Sequence, residues 1–240
     1  MRAMLLAGGL GTRLRPLTDT LPKCLVPIHG RPLLGIWLEQ LTRAGFDSFL
    51  VNTHYRADQV QEFVATCPYR DQITLVHEPT LLGTAGTLMA NLDFFAGEDD
   101  GLLLHADNYC QADFKAFLQA HERRPSGCLM TLMAFHTPSP STCGILQLDT
   151  RGVVVTFHEK VYDPPGNLAN GAVYLLSPAF LRLARRQFMQ ASDFSTEVIP
   201  HLMGRMYAYT TSEVFMDIGT MRHYEQANRL DPGAWLSWPP

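Results

Sequence analysis

Residues 4–28 read MLLAGGLGTRLRPLTDTLPKCLVPI. A short apolar run ends in Gly8, Gly9 and Gly11, and Arg13, Arg15 and Lys23 then alternate with Pro16, Pro22 and Pro27. The apolar run has the length and composition of a strand. Glycines directly behind it let the backbone turn sharply, and successive exposed N–H groups can cradle phosphate oxygens. The stretch is no Walker A loop, because no Gly-Lys-Ser/Thr follows, and it lacks the G-x-G-x-x-G spacing of a dinucleotide site. On the glycines alone, a plain strand-to-helix turn would serve equally well. The cations tip the balance, since a proline-stiffened loop lowers the entropy lost in holding charges at one place. An anion site is expected here.

Outward from this loop the chain alternates apolar runs with amphipathic segments. AMLLAG (3–8), SFLVNT (48–53), ITLVHE (73–78), GLLLHA (101–106) and CLMTLMAF (128–135) read as strands. The segments Leu33 to Ala44, Asp58 to Ala65, Gly86 to Phe94 and Phe114 to Arg123 carry helical spacing. Such alternation predicts an α/β fold with a mostly parallel sheet, helices on both faces and ligands at the carboxyl ends of the strands. After HTPSPS (136–141) the pattern changes to two β-like runs around Thr150-Arg151-Gly152, then a strand over 169–177 and a helix from Pro178 to Arg186. The second half is therefore expected to be more α+β, within one domain of two lobes that ends in a Trp/Pro tail.

Composition narrows the partners. At 240 residues the chain can bury a substantial core, and 19 basic against 23 acidic residues give a net charge of −4. Neither a nucleic acid nor an anionic membrane is called for, so any anion site is local. The five cysteines are odd in number and scattered without a CxxC pair, which suggests neither a disulfide framework nor a zinc site. No apolar stretch has the length of a membrane span or the pattern of a signal peptide, and a cytoplasmic location is the expectation.

The opening stretch resembles the G-x-G-T-R-x-x-P-L-T…P-K-x-L-x-P-I signature of the sugar-1-phosphate nucleotidyltransferases. LGTAGTL (82–88), HADN (105–108), FHEK (157–160), NGAVYLLS (170–177) and FMDIGT (215–220) are similar to the later motifs of that family, in the same order. The resemblance covers essentially the whole chain and is nearest to the mannose and heptose 1-phosphate guanylyltransferases. It implies a glycosyltransferase-A-like (Rossmann-like) mixed, mostly parallel sheet flanked by helices. The activity implied joins a nucleoside triphosphate to a sugar 1-phosphate, giving a nucleotide sugar, a polysaccharide precursor, and pyrophosphate. As the sequence ends soon after that domain, the left-handed β-helix of many relatives is expected to be missing. One domain over 1–240 is expected, with a nucleotide-binding half over about 1–125 and a sugar-binding half over about 126–230. A homodimer is one assembly open to it.

The resemblance also assigns roles. It implies that Arg13 holds the β- and γ-phosphates and stabilises the leaving pyrophosphate, while Lys23 reaches the α-phosphate and the sugar phosphate. Asp107 and Asp217 would hold Mg²⁺, for which hard carboxylate oxygens are suited. Leu6, Ala7, Gly8, Gly9, Gly11, Thr12, Gly83 and Thr84 would surround the nucleotide, with Asp107. Asn108, Gly144, Glu159, Lys160 and Asn170 would join Lys23 around the sugar phosphate. Arg15 stands where relatives are often polar, and Ala106 replaces their usual glycine, a methyl expected beside the nucleotide.

Blander readings accompany each motif. An aspartate after a strand can be a cap or turn former, and Thr84 can cap a helix beginning at GTAG. His105 and His158 read as structural. Asp193, Ser195 and His201 could be imagined as a triad, but DFSTEVIPHL (193–202) is more simply a capped helix. A UTP- or dTTP-dependent enzyme, a silent nucleotide-sugar-binding regulator and cytidylyl transfer to another acceptor such as phosphocholine are the alternatives. The resemblance of LGTAG to the corresponding segment of the guanylyltransferases implies a purine, and guanine's edge is expected to meet main-chain donors and acceptors.

Overall fold

The computed structural model describes residues 1–97 and 99–232; the Trp/Pro tail lies outside the described residues. The first half contains β1 (Arg2–Leu6), β2 (Pro27–Ile28), β3 (Arg31–Pro32), α1 (Leu33–Arg43), β4 (Ser48–Thr53), α2 (Ala57–Thr66), β5 (Ile73–His77), α3 (Gly83–Ala90), β6 (Gly101–His105), β7 (Asn108–Cys110) and α4 (Phe114–Glu122). There follow β8 (Met130–His136), β9 (Gly144–Leu148), β10 (Val154–Glu159), β11 (Leu168–Leu176), α5 (Pro178–Gln187), β12 (Met206–Thr210), β13 (Phe215–Asp217) and α6 (Met221–Ala227).

The main sheet runs β10-β9-β11-β6-β1-β4-β5, with β8 paired to β11 and β12 to β8. Around β1 it is parallel, and the register sets Leu6 level with Asn52 on β4 and His105 on β6. Three strands therefore end abreast beneath the glycine loop. β11 is antiparallel to β6, β8 and β9, which produces the expected change of character in the second half. Its register slips between Asn170 and Tyr174, where Ala172 adopts a φ of 53°.

Burial on both faces explains the near-continuous apolar strands. Along β1, Ala3 and Leu5 face one core and Met4 the other; along β6, Leu102 and Leu104 oppose Leu103 in the same way. Helix α1 buries Leu34, Trp37, Leu38 and Leu41 at helical spacing, and Trp37 Nε1 donates to the Asn108 carbonyl at 2.8 Å. Asp113 caps α4 by accepting from Lys115 N and Ala116 N, and Ser177 caps α5 ahead of Pro178.

One boundary differs from the sequence reading. Helix α3 begins at Gly83 instead of Gly86 and gives way after Ala90 to a tight turn over Leu92–Phe95. Thr84 is not its cap. The helix start is held by tertiary contacts, with Ala85 N donating to Ser192 O at 3.0 Å and Thr84 Oγ1 accepting from Phe194 N at 2.8 Å. Gly83 is required there: its φ is +81°, and a Cβ would stand 2.3 Å from Ser192 O. The segment after Asp193 is a single wide turn over Phe194–Val198 followed by a tight one over Ile199–Leu202, capped by Asp193 on Thr196 N. With that carboxylate occupied as a cap, the imagined triad has no support.

Burial pushes the Cys24 thiol up to about 12, with Asp107 adding to the effect, and burial alone does the same for Cys110. Both thiols are therefore expected to resist an aromatic disulfide reagent at pH 8 in the native protein and to react at once after unfolding in guanidinium. Mass spectrometry of the labelled peptides checks this; labelling of native Cys24 at a free-thiol rate would contradict the packing.

Candidate active site

The glycine loop closes one end of a cleft of about 230 Å³. Its lining includes Leu6, Gly8, Gly9, Gly83, Thr84 and Asp107, so six residues assigned to the nucleotide by resemblance share one surface. Ala7 is buried beneath it and donates its N–H to Asn52 Oδ1 at 2.7 Å. Gly11 begins the turn over Thr12–Leu14, and its carbonyl accepts from Thr18 Oγ1 at 2.8 Å; Thr12 is exposed.

Beside the cleft the chain brings together parts that are far apart in sequence. Lys23 Nζ donates to Asp107 Oδ2 at 2.8 Å and to Asp217 Oδ1 at 3.1 Å. Arg13 adds a guanidinium nitrogen 3.5 Å from Asp217 Oδ2. Asp107 lies in the turn between β6 and β7, while Asp217 ends β13, the antiparallel partner of β7. That small ladder sets the two carboxylates near each other. Lys23 sits in a tight turn over Lys23–Leu25 whose preceding Pro22 is extended, and its side chain is only 6% exposed. Burial acts against its charge, yet Asp107 and then Asp217 outweigh that and hold its pKa above the ordinary lysine value. Burial likewise acts against the Asp107 charge, and Lys23, followed by His105, keeps that carboxyl below its ordinary value.

Among the described residues no cluster of three or more His, Cys, Asp or Glu side chains could hold a metal ion. A pair of carboxylates flanking one ammonium is nevertheless a donor set that fits a hard divalent ion, whose other ligands would be phosphate oxygens and water.

The second half supplies a separate polar group. Glu159 ends β10 opposite Gly144 on β9, and its carboxylate pairs with Lys160 Nζ at 3.1 Å. A Cβ at Gly144 would lie 2.5 Å from the Phe157 ring and 2.6 Å from Glu159 Oε2, so a glycine there lets both side chains pack over β9. Asn170 donates to the Tyr174 hydroxyl at 2.7 Å and accepts from Ala172 N at 3.1 Å across the register slip of β11. Asn108 is buried, with Nδ2 donating to Gly171 O at 3.4 Å, and so joins β7 to the same slip.

Other placements depart from the sequence reading. Arg15 turns away from the cluster and pairs with Asp19 at 3.2 Å. Ala106 is fully buried in the core beneath the sheet ends, with its N–H on Leu6 O at 3.0 Å, so its methyl packs inward and does not line the cleft. His105 lines the cleft, and burial holds its pKa below the ordinary value, Asp107 pulling the other way. His158 is a surface group that contacts Gln147 at 3.4 Å. Sequence reasoning missed Asn52, Glu78, Leu81 and Thr87, which complete the cleft wall.

A family model described as nucleotidyl transferase matches residues 2–232. The chain belongs to that family. Among its relatives, a protein named putative mannose-1-phosphate guanyltransferase from Sulfolobus acidocaldarius is 31% identical over 229 residues, covering 94% of this chain and 62% of the relative. The mannose-1-phosphate guanylyltransferase catalytic subunit beta of Drosophila melanogaster is 31% identical, covering 93% and 60%. The mannose-1-phosphate guanyltransferase of Saccharomyces cerevisiae is 30% identical, covering 93% and 63%. The chain thus spans about three fifths of the length of these curated relatives. The crystal structure of HddC from Yersinia pseudotuberculosis complexed with GMP-PN has the same fold, with a TM-score of 0.78 at 24% identity, covering 95% of this chain and 97% of that one. Among the described residues no helix is long and apolar enough to cross a membrane.

Lys23→Met is expected to leave two neighbouring carboxylates without their shared counter-ion and to cost on the order of 2 kcal/mol at neutral pH, less than a fully buried pair because Asp217 is half exposed. The Asp107 contribution is present above the ordinary carboxylate pKa and is lost as pH falls through its lowered folded value. The Lys23 contribution is complete below the ordinary lysine pKa and fades as pH rises through its raised folded value. Denaturant titrations should show the gap between variant and wild type closing in acid; a gap independent of pH would assign the loss to packing of the lysine stem.

Proposed function

We propose that this chain transfers a guanylyl group from GTP to a manno-configured sugar 1-phosphate, mannose or a manno-heptose, and releases pyrophosphate. The observation that carries this reading is the convergence of Arg13, Lys23, Asp107 and Asp217 beside a cleft lined by Gly8, Gly9 and Gly83. The names of the guanylyltransferase relatives support the nucleotide and the sugar.

In the reaction a phosphate oxygen of the sugar 1-phosphate forms a bond to the α-phosphorus of the triphosphate. The bond from that phosphorus to the bridging oxygen breaks, and its electron pair leaves with pyrophosphate. The nucleophile is already ionised, so no general base is required. Two polyanions must approach each other while charge builds on the leaving group, and preorganised cations serve that need. Lys23 fits the meeting point of the α-phosphate and the sugar phosphate, because the stiff Pro22 turn fixes its stem and its ammonium sits between the carboxylates. Arg13, at the exposed edge of the same cluster, fits the β- and γ-phosphates. Asp107 and Asp217 would hold Mg²⁺, which supplies neutralisation of phosphate charge when bound.

Glu159 and Asn170 suit sugar hydroxyls, Gly144 leaves room beside Glu159, and Lys160 and Asn108 complete that end of the site. On this reading residues 1–125 supply the nucleotide half and 126–230 the sugar half of one domain.

Pyrophosphate release with GTP, ATP, UTP, CTP or dTTP, Mg²⁺ and either mannose 1-phosphate or manno-heptose 1-phosphate tests the reading. GTP with a manno-configured acceptor is the expected pair; preference for UTP or dTTP would overturn the guanine assignment, and no release with any pair would sink the enzyme reading. Arg13→Ala and Asp217→Asn should each lower turnover by about a hundredfold or more at nearly unchanged unfolding midpoints.

A further inference from the structure

The glycine loop leaves the sheet at a point that the strand ladders do not hold by themselves. Pairing of β1 with β4 ends where Leu6 stands level with Asn52. Beyond it β4 stays with β5, Thr53 O accepting from Glu78 N at 2.8 Å, while on the other side Leu6 O still accepts from Ala106 N at 3.0 Å. The next N–H, that of the buried Ala7, therefore comes after the last ladder pair with β4. A buried N–H left unpaired is costly. Here the side chain of Asn52 supplies the acceptor, Oδ1 at 2.7 Å, in place of a strand carbonyl.

Chemistry leaves that amide one orientation. A backbone N–H cannot accept, so Oδ1 must face Ala7 and Nδ2 must point to the wall. There Nδ2 donates to Glu78 Oε1 at 3.1 Å and to Thr87 Oγ1 at 3.4 Å, and the Thr87 hydroxyl gives its own proton to Glu78 Oε1 at 2.6 Å. Asn52 is only 4% exposed and is held at both ends. Gly8 then passes directly over it: a Cβ at that position would stand 3.0 Å from Asn52 Nδ2 and 3.2 Å from Leu81 Cδ2. The direction of the N–H groups at Gly8 and Gly9 is thus set by where this amide pins the chain. We infer that Asn52 is a positioning residue for the nucleotide, fixing the point at which the loop turns and so how its N–H groups meet GTP, without touching the reacting atoms itself. The inference rests on the proposed guanylyl transfer and adds to it a side chain that acts through Ala7 and Gly8.

The test combines hydrogen exchange at the Ala7 amide, read by NMR, with calorimetric binding of GTP and UTP and with the kinetics of pyrophosphate release from GTP, Mg²⁺ and mannose 1-phosphate. Wild type is compared with Asn52→Leu, which has a similar shape and offers no acceptor, and with Asn52→Asp, which keeps one. Asn52→Leu should lose the protection of Ala7, weaken GTP binding and raise KM for GTP by about tenfold or more, and leave KM for the acceptor within about twofold of wild type. Asn52→Asp should keep Ala7 protected. A fall in kcat with both KM values unchanged, the mark of a merely structural role, overturns the assignment while leaving guanylyl transfer standing. So does an Ala7 amide that stays protected in folded Asn52→Leu. Wild-type preference for UTP defeats the guanylyl reading instead, and the positioning role then stands or falls on Ala7 exchange and on the UTP affinity of Asn52→Leu. Should Asn52→Leu fail to fold, Asn52→Ser, whose hydroxyl falls short of Ala7 N, carries the same comparison.

Discussion

A buried ammonium must be neutralised where it stands, and Lys23 meets that requirement by drawing in two carboxylates from remote parts of the chain. Asp107 arrives at the end of the parallel sheet, whereas Asp217 arrives on a short antiparallel strand nearly two hundred residues after Lys23. The position of the last ladder, and with it the approach of Arg13, is therefore tied to a residue in the first loop. What fixes the charges also fixes their spacing. A cluster organised in this way needs little rearrangement when polyanions replace carboxylates as the partners of its cations, which is the condition for electrostatic catalysis.

The cleft obeys a second constraint. Parallel pairing in register brings Leu6, Asn52 and His105 level at the strand ends, so an apolar, an amide and an imidazole side chain meet beneath one loop. Asn52 then links the loop to the opposite wall, accepting from Ala7 N and donating to Glu78 and Thr87. Such a network is stable in a buried setting because its donors and acceptors are matched, and it gives the wall a defined shape.

Much of this was readable along the chain. Strands β4, β5 and β6 and helices α1, α2 and α4 lie within a residue or two of their expected positions, because apolar periodicity is a local signal. The loop cations were visible as charges among prolines. Pairing of Asp107 with Asp217 rested on resemblance, since spacing cannot report a contact across 110 residues. Asn52, Glu78 and Thr87 escaped notice for a related reason: each is a lone polar residue whose partners lie elsewhere in sequence. The polar endings of SFLVNT and ITLVHE after apolar runs were the hints for Asn52 and Glu78. The start of α3 was misplaced because Gly83 and Thr84 look like a turn, and only their contacts with Ser192 and Phe194 extend the helix back to them.

The contact between Gly83 and Ser192 bears on how the molecule could be divided. One wall of the cleft leans on a backbone carbonyl contributed long after the glycine loop, and β6 has β11 as its neighbour on the side away from β1. A fragment ending before β8 would contain every glycine of the loop and yet leave the GTAG turn without its brace. It would also present β6 as a raw sheet edge, open to pairing with other chains. Assembly of a working cleft thus waits on synthesis of the later strands, and a nascent first half is the species most exposed to aggregation.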